Sequence, residues 1–260
     1  MGSFFSWDEQ CKRREAVQAR HDATLSLRPV RIFLTVCIAS FLFSAGCVTF
    51  APPSPMVTFG GPETAGKGVS ETALAFGTGA VLFEDAHTGG AGWFGRYKYG
   101  LGENFDLGID ALGVTYSDKT AFTAKLAGRY AIRPGIRVEA GIGAADDSNG
   151  KSLNSDIGVT VGSIGEDSPW NFYSSLRAGY AFGFAGNAIF STTDESTDTV
   201  PLPNTAFTML NLGAQGKIIE GQFFIFEAGV GGVFPEGEDP GMIIYLSCGL
   251  LFKIGGEGSK

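Results

Sequence analysis

Long apolar runs are scarce in this sequence of 260 residues. The longest, 32–44, would reach only about 20 Å as a helix, short of the roughly 30 Å hydrocarbon core of a bilayer. A bundle of membrane-spanning helices is thereby excluded. Charge is sparse too, at 18% against about 25% for soluble domains. What charge there is leans acidic, with 19 basic and 27 acidic residues, so the chain lacks the basic footprint of a nucleic-acid binder. Histidine is nearly absent: there are two in the whole chain, and downstream of residue 47 only His87. Glu84 and Asp85 beside it are an ordinary loop composition, and neither catalysis nor a zinc site is expected. Cys47 and Cys248 are the only cysteines in that downstream part, too few for a disulfide framework. Gly229-Val230-Gly231-Gly232 has no helical pattern after it, so no nucleotide loop and no cofactor are expected.

Glycine, by contrast, is abundant, at 39 residues, about twice the usual share of roughly 7%. The N-terminal region carries a basic patch, Arg28-Pro29-Val30-Arg31, then the apolar run, then the small residues Ala45 and Gly46 before Cys47. Basic, apolar and small in that order is the layout of an export signal. Ser44-Ala45-Gly46-Cys47 resembles the lipobox of bacterial lipoproteins, with Ser44 in place of the commonest Leu. The resemblance implies cleavage before Cys47 and acylation of that residue. Val48 stands where enteric lipoproteins retained at the inner membrane carry Asp, so the resemblance also permits the outer membrane. The expected organisation is an extension and cleaved signal over 1–46, a lipidated N-terminus and flexible Pro- and Gly-rich linker over 47–68, a β-domain over 69–254 and a tail over 255–260.

Beyond residue 68 hydrophobicity alternates with period two, the strand signature. Ten segments are predicted: 71–83, 91–99, 105–115, 120–132, 136–145, 154–163, 170–181, 206–218, 223–234 and 242–254. In 120–132, for example, Phe122, Ala124, Leu126, Tyr130 and Ile132 oppose Thr123, Lys125, Ala127 and Arg129. The connections 84–90, 116–119, 146–153, 182–205 and 235–241 are mostly longer and polar. Those at 100–104, 133–135, 165–169 and 220–222 are mostly tight. Such asymmetry, with strands long enough for a tilted crossing, describes an outer-membrane barrel. The predicted fold is all-β: a closed antiparallel transmembrane barrel of ten strands, with eight as the alternative count. The last segment, Ser247-Cys248-Gly249-Leu250-Leu251-Phe252-Lys253-Ile254, resembles the C-terminal assembly signal of small outer-membrane barrels. That resemblance implies the outer-membrane assembly machinery as a partner, alongside the lipid bilayer itself.

If the apolar face meets lipid, the polar face lines the lumen. It would carry Arg96, Lys98, Lys125, Arg129, Arg137, Arg177, Lys217 and Lys253 against Glu71, Asp106, Asp110, Glu139 and Glu227. The plain reading is an ion-pair network filling a narrow barrel, since unpaired charge there is costly. The sharper one is a narrow, weakly anion-preferring pore, with small hydrophilic solutes as its partners. The segment 183–205, with Asp194, Glu195 and Asp198, is a solvated loop or a contact site. The function expected is a non-enzymatic outer-membrane lipoprotein with a structural or surface-interaction role, its N-terminus on the periplasmic side. The alternatives are a small porin-like diffusion channel and a lipid-tethered soluble periplasmic β-domain.

Overall fold

In a computed structural model of the chain, residues 57–83, 87–116, 119–147, 150–163, 169–184 and 203–255 are described. Ten strands follow one another: β1 (Ser70–Leu82), β2 (His87–Gly100), β3 (Phe105–Tyr116), β4 (Lys119–Arg133), β5 (Ile136–Asp147), β6 (Gly150–Gly162), β7 (Trp170–Phe184), β8 (Thr205–Ile219), β9 (Gln222–Pro235) and β10 (Gly241–Ile254). Each pairs antiparallel with its neighbour, and β1 pairs with β10 to close the barrel. No strand is left with an unpaired edge, which is what distinguishes a barrel from an open sheet. All ten predicted segments are present; β1 is shifted by one residue at the same length, and the other nine are lengthened, β6 by an earlier start although it ends one residue sooner.

The connections depart from the expected asymmetry. β5 runs to Asp147 and β6 starts at Gly150, so most of the polar stretch at 146–153 is strand, with Asp147 facing Gly150 in register. The longest connection is the one between β7 and β8. At the opposite end Gly135 and Gly221 take φ of 83° and 74°, the left-handed conformation that two-residue turns require. Register shifts between Ala131 and Arg133 and between Lys217 and Ile219 add bulges at this same end. We call it the turn end, and the end bearing the β7–β8 connection the loop end.

Alternation sorts the side chains by chemistry. Outward stand Leu74, Phe76, Ile109, Leu126, Ile142, Ile157, Leu176 and Leu212, with Ile142 at 67% and Leu176 at 61% exposure. Among the described strand residues this outward alternation carries no charge; the exposed cations Arg133 and Lys217 stand beside the turn-end bulges. Tyr97, Tyr99, Phe105, Tyr130, Trp170 and Phe172 are exposed around the turn end, a ring of aromatics of the kind that girdles membrane barrels. The charges point inward and are buried. Exposed large hydrophobics stand on every one of the ten strands, unlike the singly scattered apolar residues of a soluble surface.

Candidate functional site: a filled lumen

Strand register assembles the interior. Opposite charges face one another in rows across neighbouring strands, the arrangement that stabilises cross-strand pairs. Lys98, Glu71 and Lys253 form one row over β2, β1 and β10. Arg96, Asp110 and Lys125 form a second over β2, β3 and β4, and Asp106, Arg129 and Glu139 a third over β3, β4 and β5. The rows interlock. Arg129 donates through Nε to Glu139 Oε2 at 2.7 Å and through Nη2 to both oxygens of Asp110 at 2.8 Å. Lys125 Nζ reaches Glu139 at 3.2 Å and Asp156 at 3.0 Å. Arg177 Nη2 joins the same two carboxylates at 2.7 and 2.6 Å. Lys98 Nζ lies 2.8 Å from Glu71. Isolated charges in this setting would each cost several kcal/mol; their mutual pairing offsets the loss of water.

The sequence-predicted lumen residues Arg96, Lys98, Asp106, Asp110, Lys125, Arg129, Arg137, Glu139, Arg177 and Glu227 are all buried inside the barrel. Lys217 is not: it is exposed beside the bulge at the end of β8, where the ladder shifts register and the alternation of faces is broken. Asp156 was absent from that set, yet it accepts from both Lys125 and Arg177. It lies two residues before Gly158 on the same face, so extending the β6 alternation one step would have found it. Cys47 and the loop acids Asp194, Glu195 and Asp198 fall outside the described residues.

What the alternation could not reveal is the content of the lumen. Residues 57–66, within the segment expected to be a free tether, run through the interior. They descend from mid-barrel to the turn end before β1 begins. Glu227 receives the backbone N–H groups of Thr58 at 2.9 Å and Phe59 at 2.8 Å. Tyr173 and Tyr245 donate their hydroxyls to the same carboxylate. Four donors thus converge on Glu227, none of them a cation. Arg96 pairs with Asp110 through Nε and Nη2 and donates to the carbonyls of Thr58 and Phe59. Lower down, Gly60 donates to Tyr173, Gly61 to Gln215 and Ala65 to Asp106. Arg137 donates to the carbonyls of Gly61 and Glu63 at 2.8 and 3.2 Å. Glu63 pairs with Lys253 at 3.1 Å. These bonds satisfy backbone groups that would otherwise be buried without partners.

Phe59 is the anchor. Its side chain is fully buried against Ala73, Ala75, Ile225 and Leu251, and its ring centroid is 5.7 Å from that of Phe94. Its φ of 38° lies in the left-handed region, which costs a non-glycine residue of order 1–3 kcal/mol and persists where surrounding contacts over-determine it. The lumen is therefore more than paired ions and glycine. Most of its charge lies on β2 to β7, while Ala73, Ala75, Ile225 and Leu251 of β1, β9 and β10 join Phe94 and Tyr173 in an apolar cluster around Phe59. A second apolar cluster, Ala181, Phe207, Met209 and Val233, lies nearer the loop end.

Glycine serves the site at two positions. A Cβ on Gly213 would overlap the ring of Tyr173, and one on Gly229 would overlap the ring of Tyr245. Each tyrosine that holds Glu227 lies across a glycine of a neighbouring strand. At the loop end, Tyr180 Oη donates to Glu236 Oε1 at 2.6 Å and Asn204 Nδ2 to Oε2 at 3.0 Å. These bonds, the tyrosine's first, hold the Glu236 carboxyl below the usual range.

Among the described residues no group of three or more His, Cys, Asp or Glu is placed to hold a metal ion. No family model and no curated sequence matches the chain. Solved structures similar to it include an outer membrane channel from Pseudomonas putida F1, with 10% identity, 76% of this chain and 100% of that chain covered, and a TM-score of 0.44. The outer membrane protease OmpT from Escherichia coli gives 9%, 77%, 99% and 0.40. Neisserial surface protein A gives 8%, 72%, 100% and 0.39. At these values nothing about ligand or activity carries over from them.

Proposed function

We propose that this protein is a bacterial outer-membrane barrel lipoprotein, closed by its own chain, whose role is structural or surface-interacting rather than catalytic. The exposed apolar belt and turn-end aromatics support insertion in lipid, and a water-soluble tethered domain would leave that belt in contact with solvent. Outer-membrane barrels carry their short turns on the periplasmic side, so the turn end faces the periplasm and the β7–β8 connection faces outward. The lipobox-like Ser44-Ala45-Gly46-Cys47 supplies the anchor. The observation that carries the reading is residues 57–66, bound through their backbone to Glu227, Arg96, Arg137 and Asp106. With that segment in place and the charges of β2 to β7 paired, little of the lumen remains for solute.

The test is conductance in planar bilayers. The intact protein is expected to be silent, and a variant lacking residues 57–66 to show discrete openings. Steady openings of the intact barrel would favour the diffusion-channel alternative instead. Palmitate labelling that disappears in Cys47→Ala is expected for the anchor; labelling that survives would remove it.

A further inference from the structure

The two bulges at the turn end have the same effect on a basic side chain. On β4 the ladder passes from Ala131, opposite Arg137, to Arg133, opposite Ile136, and skips Ile132. On β8 it passes from Lys217, opposite Phe223, to Ile219, opposite Gln222, and skips Ile218. By alternation Arg133 belongs with Lys125 and Arg129, and Lys217 with Asn211 and Gln215, all of them buried in the lumen. Instead both cations are exposed. Their surroundings are apolar. Ile132 beside Arg133, and Ile218 and Ile219 beside Lys217, are each more than half exposed. The aromatic ring passes close by: the Trp170 side chain lies across Gly216, the residue before Lys217, and the Lys217 N–H donates to the carbonyl of Pro169 at 3.2 Å. Among the described residues neither cation forms an ion pair. The acids described at this end, Glu103 and Glu220, sit in the turns beyond the strands.

We infer that Arg133 and Lys217 form a docking surface for anionic phospholipid headgroups at the level of the aromatic ring. Exposed isoleucines on either strand end place each cation's backbone at the edge of the hydrocarbon. A long basic side chain there lays its stem along apolar surface and lifts its charge to the headgroups. Inside the barrel a cation needs a carboxylate to offset its loss of water. These two have none, and a lipid phosphate supplies the counter-charge through charge-assisted hydrogen bonds. The bulges thereby acquire a purpose: with the register unshifted, each cation would fall on the lumen side. The two positions belong to different turns, β4–β5 and β8–β9, so they engage separate lipids. The inference rests on the outer-membrane reading, on which the turn end faces the periplasm, and it assigns the bound lipids to the periplasmic leaflet.

The test is the denaturant midpoint of the full chain folded into vesicles of phosphatidylcholine, alone or mixed with phosphatidylglycerol, at low salt. The chain carries a net charge of −8, so its overall field opposes an anionic membrane and any gain must be local. The parent is expected to gain about fivefold in its folding equilibrium per cation in the mixed vesicles, and to lose that gain at high salt. Arg133→Gln combined with Lys217→Gln is expected to fold in phosphatidylcholine without the gain. Lys67→Gln, which removes an exposed cation away from the bulges, is expected to keep it. If the glutamine pair does not fold, Lys217→Gln alone decides, and is expected to lose about fivefold. Equal midpoints for the parent in both vesicles, or an undiminished gain in the glutamine variants, overturn the inference and leave the membrane reading standing. Failure of the parent to fold into either vesicle removes that reading and the inference with it. The same gain from inorganic phosphate added to phosphatidylcholine vesicles at matched ionic strength would mark a free-anion site and overturn lipid docking.

Discussion

Arg96 holds Asp110 by two parallel hydrogen bonds, Nε to Oδ1 at 2.7 Å and Nη2 to Oδ2 at 2.9 Å, and turns its remaining edge to the carbonyls of the inner segment. One guanidinium therefore joins the charged wall to the filling. Arg96→Ala is expected to cost about 3–5 kcal/mol, the range for removing one member of a buried pair, read as a lower denaturant midpoint of the heat-modifiable band. It should also introduce intermittent conductance. Arg96→Lys keeps the charge but not the two-point geometry, and is expected to fall between.

Glu227→Gln preserves shape and removes acceptor capacity. The new amide nitrogen faces donors from Thr58, Phe59 or the tyrosines, leaving buried groups without partners at about 1–3 kcal/mol. Combining it with Tyr245→Phe should cost less than the two changes summed, since both disturb one carboxylate. Additive losses in a double-mutant cycle would show that the two side chains act independently.

Gly213→Val drives the Tyr173 ring off the neighbouring strand. An overpacking cost of about 1–3 kcal/mol is expected. Tyr173→Ala in the same chain should restore part of it, because the small residue removes the overlap.

Ile142→Arg places a cation in the middle of the exposed belt. In a bilayer the expected loss is about 2–4 kcal/mol, measured by folding into lipid vesicles. A barrel that lives in water would tolerate the change, so an unaltered midpoint and good solubility without detergent would count against membrane insertion.

Glu236, just beyond β9, titrates below the usual carboxylate range because Tyr180 and Asn204 donate to it. The stabilisation it supplies is present at neutral pH and is lost as pH falls through its lowered folded value. Tyr180→Phe should raise that titration, followed by carboxyl NMR, so that the Asn204–Glu236 contact weakens at a higher pH than in the parent.

The fold was legible because its main determinant is binary. Leu126 and Lys125, or Ile142 and Gly141, declare opposite faces by alternation alone, and ten such runs mark the strands; the choice of ten over eight and the closure itself rest on the β1–β10 pairing. Alternation says nothing of what lies opposite a lumen residue, so the pairing of Arg177 with Asp156 and the failure of Lys217 to reach the interior needed register and bulge. Residues 57–66 were illegible for a different reason. Their hydrogen bonds use backbone groups, which every residue possesses, and the short apolar stretch that ends at Phe59 runs into Gly60, Gly61 and Pro62 with no period of its own. Its partners, Glu227 and Arg96, lie far away in sequence.

β1 follows directly from the segment that fills the interior, and β1 also forms the closing seam with β10. The same strand thus carries the filling on one side of its start and the seam along its edge, so a pull on residues 57–66 is felt directly at the β1–β10 join. A cavity vacated later, by proteolysis or by design, would leave a hollow that no second molecule of the same chain could refill with equal advantage.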